Sequence, residues 1–183
     1  MSNMNYNHLE PYDPDRGQIQ IIFGPIFSGK TTELIHRLKL YQITKYKCLI
    51  VEYANDVWYN AKDIVSHDRQ SLAAVSANKI AELKTKSLDY EVIGIDEGQF
   101  FSDIVKYCKE MANLGKIVIS AALDGTYQRV GFGSILNLVP LAENVKLSAV
   151  CMICFKDTAY TKRIGPEKEL EVISGADKYM AVC

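Results

Sequence analysis

Residues 24–31, with the sequence GPIFSGKT, fit the phosphate-binding pattern G-x-x-x-x-G-K-[ST] at every defined position. Glycines at the two ends of such a loop permit sharp turns, so that successive backbone N–H groups point at one phosphate. A helix that starts at the lysine adds its positive N-terminal dipole. The motif predicts a nucleoside triphosphate site formed by Gly24, Pro25, Ile26, Phe27, Ser28, Gly29, Lys30 and Thr31, with Lys30 on the β- and γ-phosphates and the Thr31 hydroxyl on Mg²⁺.

The flanking sequence favours a real strand–loop–helix unit over a chance match. Gln18–Phe23 becomes continuously apolar and predicts a buried strand, while apolar residues at helical spacing predict a helix over residues 31–41. Further strands are predicted at residues 48–51, 92–95, 117–123 and 145–150, and helices at residues 76–84 and 102–111. Ser102 is the expected N-cap of the last helix. Strands alternating with helices predict an α/β fold with a parallel sheet and right-handed crossovers.

Two adjacent carboxylates follow the apolar run 92–95. Asp96 closes that strand and can hold the Mg²⁺ that Thr31 also contacts. Glu97 points in a different direction, so it is available as the base that orients an acceptor hydroxyl and takes its proton. A glutamate that activates water, as in an ATPase, is the alternative for Glu97.

Length and composition predict one main domain with a small appendage. The chain has 183 residues, of which 48% are hydrophobic and 23% charged. We interpret residues 1–16 as a flexible leader, 17–149 as the nucleotide-binding domain and 150–183 as a substrate-binding unit. The charges nearly cancel, with 21 basic and 22 acidic residues, which argues against nucleic-acid binding through a basic surface. The sequence contains no membrane-length apolar stretch or signal segment, so a cytoplasmic protein is expected.

Three cysteines near the end of the chain suggest a structural metal site. Cys151 and Cys154 form one C-x-x-C pair, and Cys183 is a third thiol. Structural Zn²⁺ usually takes four such ligands, so a reduced thiol pair remains the alternative. Cys48 and Cys108 lie singly in apolar patterns and are expected to be packed in the core.

Four segments occur together in a specific order: RGQIQIIFGPIFSGKTTEL at 16–34, IGIDEGQFF at 93–101, AALDGTYQR at 121–129 and ISGADKYMAVC at 173–183. Over residues 16–183 the chain resembles the thymidine kinases shared by animal cytosol, many bacteria and poxviruses. The resemblance implies a RecA-like P-loop domain, a small zinc-bound lasso domain and a homotetramer. It also implies transfer of the ATP γ-phosphate to thymidine, assisted by Mg²⁺.

The same resemblance implies roles for individual residues. Glu97 matches the catalytic base, Tyr127 and Tyr179 match aromatic contacts to the nucleoside, and Asp56 and Gln99 match the ATP and Mg²⁺ side of the site. The lasso that holds the base through main-chain groups corresponds to Leu170, Glu171, Val172, Ile173 and Ser174. Further pocket positions correspond to Phe100, Leu123, Phe132 and Thr161.

The chain departs from the family pattern in three places. Trp58 stands where an arginine is usual, and Arg69 or Arg163 would have to compensate for the lost charge near the phosphates. A fourth cysteine is expected three residues beyond Cys183. Ile26 replaces a common methionine, and residues 130–131 replace a lysine–proline pair. Three rival hypotheses stay open: a degenerate nucleotide-binding paralogue, a P-loop ATPase, and a zinc-ribbon nucleic-acid binder.

Overall fold

A computed structural model describes residues 17–54, 63–65, 71–165 and 178–183. The predicted leader at 1–16 therefore lies outside the described residues. So do the site predictions that fall on Asp56, Trp58, Leu170, Glu171, Val172, Ile173 and Ser174.

A parallel six-stranded sheet forms the centre of the protein. Its strands are β1 (Gln18–Phe23), β2 (Cys48–Tyr53), β5 (Val75–Ala77), β6 (Val92–Ile95), β7 (Ile117–Ala122) and β8 (Glu143–Lys146). They lie in the order β5-β2-β6-β7-β1-β8, and every neighbouring pair is parallel. The short strands β3 (Asp63–Val65) and β4 (Ser71–Ala73) form a separate antiparallel ribbon.

Helices cover both faces of this sheet. Helix α1 (Lys30–Ile43) buries Leu34, Ile35 and Leu38 on one face, and α3 (Ile104–Asn113) packs against the other. The remaining helices are α2 (Lys84–Ser87) and three 3₁₀ segments at Ile80–Leu83, Gly98–Phe100 and Ile135–Leu141. Among the described residues no helix is long and apolar enough to cross a membrane.

Four short strands after the sheet build a second unit. Strand β9 (Ala149–Val150) pairs with β10 (Asp157–Thr158), and β11 (Tyr160–Arg163) pairs with β12 (Tyr179–Val182), both antiparallel. The backbone N–H of Met152 joins the two ribbons by donating to Ala181 O at 2.9 Å. The predicted fold class, a parallel α/β domain with a small cysteine-bearing unit, is confirmed. The boundary between residues 149 and 150 stays a prediction, and β9 runs across it.

The strands predicted at 18–23 and 92–95 are confirmed at those bounds, but three local predictions were wrong. Residues 76–77 of the predicted helix 76–84 belong to β5, because they pair with β2 at the sheet edge. Asp103 rather than Ser102 is the N-cap of α3, and its carboxylate instead accepts a bond from Ala81 N at 2.9 Å. The run 145–150 is divided between β8 in the sheet and β9 in the second unit.

Candidate active site

The predicted phosphate loop joins the carboxyl end of β1 to the first turn of α1. Gly29 lies at φ 82°, in the left-handed region that glycine adopts without strain, and caps the helix. Inside the loop, Pro25 O accepts bonds from Lys30 Nζ and from Ser28 Oγ, each at 2.8 Å. These two bonds to one carbonyl hold the loop together. They use the lysine and serine side chains that would contact a bound phosphate.

Lys30 is a buried cation, with only 8% of its surface exposed. Burial lowers the pKa of Lys30, while the nearby carboxylates of Glu97, Asp96 and Asp124 act in the opposite direction. The charge of Lys30 thus interacts with three carboxylates at the place where the motif predicts a bound polyphosphate.

Asp96 lies at the end of β6 and faces the same site. Its carboxylate accepts hydrogen bonds from the Thr31 hydroxyl and from Glu97 N, the latter at 3.0 Å. Burial, followed by the charge of Glu97, raises the pKa of Asp96 to about 7. A buried carboxylate paired with a hydroxyl is a donor set of hard oxygens that suits Mg²⁺, so the two predicted magnesium ligands are brought together.

Glu97 has an unusual backbone conformation. Its φ is 51° and its ψ 40°, which is the left-handed region that residues other than glycine rarely adopt. The next residue is glycine, and a Cβ at Gly98 would lie 2.3 Å from Ser120 Oγ, so that hydroxyl would have to move to admit a side chain. The tight turn after β6 thus places the Glu97 side chain at the site, and backbone strain of this kind is often found at functional residues.

The side chain of Gln99 holds the Glu97 carboxylate through a hydrogen bond. Its side chain is 4% exposed, with Nε2 donating to Glu97 Oε2 and Oε1 accepting from Leu123 N at 3.0 Å. The amide therefore bridges the acid to the end of β7. The prediction that Gln99 contacts ATP or Mg²⁺ stays a prediction, since its described bonds go to Glu97 and Leu123.

Aromatic rings line the side of the site next to Glu97. Phe100 stacks on Tyr53, with ring centroids 5.2 Å apart, and meets Phe132 edge to face at 5.5 Å. Phe100 and Phe132 were predicted from their motifs. Tyr53, at the end of β2, was not predicted as a site residue, because nothing in its local sequence sets it apart.

The second unit reaches the phosphate loop directly. Thr161 Oγ1 on β11 accepts a bond from Ile26 N at 3.0 Å. Arg163, on the same strand, lies over the ring of Tyr127 at 4.0 Å and donates to the Tyr179 hydroxyl at 2.6 Å. The structure thus groups the predicted residues Tyr127, Thr161 and Tyr179, while their contact with a nucleoside stays a prediction.

Three thiols form a cluster in the second unit. The Sγ atoms of Cys151, Cys154 and Cys183 lie within 4.8 Å of one another, with Cys183 Sγ 3.8 Å from Cys151 Sγ and 3.6 Å from Cys154 Sγ. Tetrahedral Zn²⁺ with Zn–S bonds of about 2.3 Å requires S···S distances of about 3.8 Å. Backbone N–H donors, first that of Cys154, lower the pKa of Cys151 to about 6, which favours the thiolate that binds metal. Within the part of the chain that the structure describes, the cluster has three ligands.

Comparison with known proteins gives consistent matches over nearly the whole chain. A family model described as "Thymidine kinase" matches residues 17–183. The human "Thymidine kinase, cytosolic" is 56% identical over 186 residues, covering 100% of this chain and 79% of that protein. The Gallus gallus protein of the same name is 58% identical over 169 residues, covering 92% and 75%. The "Thymidine kinase" of vaccinia virus (strain Ankara) is 54% identical over 168 residues, covering 91% and 94%.

Proposed function

The chain belongs to the thymidine kinase family, and we propose that it transfers the γ-phosphate of ATP to the 5′-hydroxyl of thymidine. The products are ADP and thymidine 5′-monophosphate. The observation that carries this proposal is the position of Glu97, whose charge acts on Lys30 of the phosphate loop and whose carboxylate accepts a bond from Gln99, the residue next to the aromatic Phe100.

Nucleotide binding uses the phosphate loop. The backbone N–H groups at the start of α1 and the Lys30 ammonium bind the β- and γ-phosphates, which requires Lys30 Nζ to exchange Pro25 O for phosphate oxygens. Thr31 and Asp96 would hold Mg²⁺, which neutralises charge on the transferring group when bound. A cation at this position would also stabilise the charged form of Asp96, which burial otherwise disfavours.

Phosphoryl transfer then needs a base for the acceptor hydroxyl. The 5′-oxygen of thymidine forms a bond to the γ-phosphorus, the bond to the bridging oxygen breaks, and ADP leaves with that electron pair. Glu97 accepts the hydroxyl proton, with the Gln99 amide holding its carboxylate in place. Glu97 and Gln99 thus act mainly by orienting the acceptor hydroxyl and by electrostatics, which dominate catalysis of phosphoryl transfer.

The nucleoside is assigned to the aromatic side of the site. A flat pyrimidine fits between aromatic walls with a few polar contacts, and Phe100, Phe132, Tyr127 and Tyr179 supply such walls. The proposed nucleoside contacts also include Leu123, Thr161 and the main chain of residues 170–174.

We also propose that Cys151, Cys154 and Cys183 hold a structural Zn²⁺ that keeps the ends of β9 and β12 together. A homotetramer in the cytosol is proposed on the family resemblance.

The test is a measurement of monophosphate formation with Mg-ATP and a panel of nucleosides. Thymidine should be the preferred acceptor, and Glu97→Gln should lower kcat by about 100-fold or more while changing the thymidine KM little. Lys162→Gln serves as a surface control, because Lys162 is exposed on β11. Thymidine-independent ADP release would favour an ATPase, and nucleotide binding without turnover would favour a degenerate paralogue.

A further inference from the structure

Arg163 is a buried cation that the proposed chemistry does not use. It is 8% exposed and lies at the end of β11, directly opposite Tyr179 in the antiparallel pairing with β12. A charged side chain is seldom buried to this extent without a specific partner. Its location at the junction between the second unit and the main domain suggests that its partners matter for the site.

The guanidinium has contacts of two different kinds. Its Cζ lies 4.0 Å from the centroid of the Tyr127 ring, and Nη2 donates to the Tyr179 hydroxyl at 2.6 Å. The ring of Tyr179 also lies within 5.1 Å of Cζ. A planar guanidinium can present its face to one ring and its edge to a hydroxyl at the same time, whereas the compact lysine ammonium lacks that geometry.

A second arginine–tyrosine contact joins the Tyr127 segment to β11. Here the arginine comes from the Tyr127 segment and the tyrosine from β11. Arg129, two residues after Tyr127, has its Cζ 4.7 Å from the centroid of the Tyr160 ring on β11. Side chains alternate along a strand, so Tyr160 and Arg163 lie on opposite faces of β11. The segment 124–133 therefore contacts β11 on both faces.

The segment that carries Tyr127 is a hairpin closed by its own hydrogen bonds. Thr126 N donates to Val130 O at 2.8 Å, Phe132 N donates to Asp124 O at 3.2 Å, and the Thr126 hydroxyl accepts from Gln128 N at 3.2 Å. These bonds lie within the hairpin, whereas its arginine–tyrosine contacts with β11 are made by the side chains of Tyr127 and Arg129.

We infer that Arg163 is a positioning residue for the nucleoside, because it fixes Tyr127 of the main domain against Tyr179 of the second unit. This inference rests on the proposed function, in which both tyrosines are nucleoside contacts. Arg163 acts through those rings and not on the phosphates, so it is a poor candidate to replace the arginine that is usual at position 58.

The inference predicts a defect in thymidine affinity rather than in chemistry. Arg163→Met keeps much of the side-chain length but removes the charge and the donor. We expect the thymidine KM to rise about tenfold, with kcat within about threefold and the ATP KM unchanged. Arg163→Lys should recover only part of this loss, because an ammonium cannot make both contacts. Lys162→Met, which removes an exposed charge from the neighbouring position of β11, is the matched control and should leave the thymidine KM unchanged.

A double-mutant cycle distinguishes positioning from a merely structural role. Tyr179→Phe deletes only the hydroxyl that Arg163 binds, and should fold even if Arg163→Met does not. If the two residues act through their shared bond, Arg163→Lys and Tyr179→Phe should be clearly non-additive in the thymidine KM. Independent multiplication of the two effects, or an unchanged KM in Arg163→Met alongside an active wild type, would overturn the inference alone. A wild type that binds no thymidine would overturn both it and the proposed function.

Discussion

Replacing Gln99 with leucine would test whether Glu97 must be held in place to act as a base. The substitution nearly preserves side-chain volume while deleting both bonds of the bridge between Glu97 Oε2 and Leu123 N. A hydrogen bond to a charged group contributes about 1.5–3 kcal/mol. Since a factor of ten in rate corresponds to about 1.4 kcal/mol, loss of that bond in the transition state predicts a fall in kcat of about 10- to 100-fold.

Stability should fall separately from rate in the same variant. Leu123 N loses its acceptor, and an unsatisfied backbone donor costs about 1–3 kcal/mol where water cannot reach it. The thymidine KM should change little, because Gln99 is 4% exposed and its side chain bonds to Glu97 and to the backbone N–H of Leu123. A large rise in the thymidine KM together with the fall in kcat would instead indicate that the substitution has disrupted the whole site.

Initial rates of thymidine monophosphate formation at saturating Mg-ATP, together with thermal melting, measure both effects. Gln99→Glu is a companion variant: it keeps an acceptor for Leu123 N but places a second buried acid beside Glu97, so at neutral pH it should lose activity and also melt below the wild type. A Gln99→Leu variant with wild-type kcat and only a lower melting temperature would refute the argument that the bridge orients the base.

Three further predictions concern other parts of the site. Because the folded pKa of Asp96 lies above its unfolded value, the folded state binds the extra proton and the unfolding free energy falls as pH rises from about 4 to about 7. Asp96→Asn should therefore raise the metal-free melting temperature more at pH 8 than at pH 5 and abolish stabilisation by Mg-ATP; equal shifts at both pH values would contradict this. Thr161→Val deletes the acceptor of Ile26 N and should raise the thymidine KM about three- to tenfold in steady-state kinetics, whereas Thr161→Ser, which keeps the hydroxyl, should stay near the wild type. Cys154→Ser should reduce bound zinc in metal analysis and lower the melting temperature, with Cys48→Ser, outside the cluster, as control; full zinc occupancy in Cys154→Ser would argue against a thiolate site.

The parts of the fold that the sequence predicts well are those determined by local signals. Strand β1 becomes continuously apolar after Gln20 and is followed by a glycine, and the short apolar strand β6 is followed by two carboxylates, so their bounds follow from the pattern alone. Residues 76–77 were wrongly predicted as helical because their extended conformation depends on pairing with β2, which is distant in sequence. The N-cap of α3 was misread for a similar reason, since the Asp103 carboxylate is engaged by Ala81 N.

The same division holds for the site. Lys30, Thr31, Asp96 and Glu97 belong to compact strings whose spacing alone implies their grouping, and the Thr31–Asp96 bond agrees with it. Arg163 could not be identified in this way, because its importance arises only when β11 is placed beside Tyr127 and Tyr179. The bonds that join Gln99 to Glu97 and Leu123 could not be predicted from the sequence either. The glycine between Glu97 and Gln99 is nevertheless a local sign of the tight turn that makes these bonds possible.

Two of the departures from the usual family pattern, at Ile26 and at residues 130–131, fall where the main chain makes the described contacts. Ile26 binds Thr161 through its backbone N–H, which any residue but proline would offer. Val130 is 61% exposed, and its backbone O and N both bond to Thr126. The two main-chain bonds that flank Gly131 do not use its own N–H, so a proline at this position would keep both bonds, but its Cβ would lie 2.7 Å from Leu136 Cδ1, which would have to shift. We therefore expect these replacements to alter the surface of the nucleoside pocket while leaving the contact between the phosphate loop and the second unit intact.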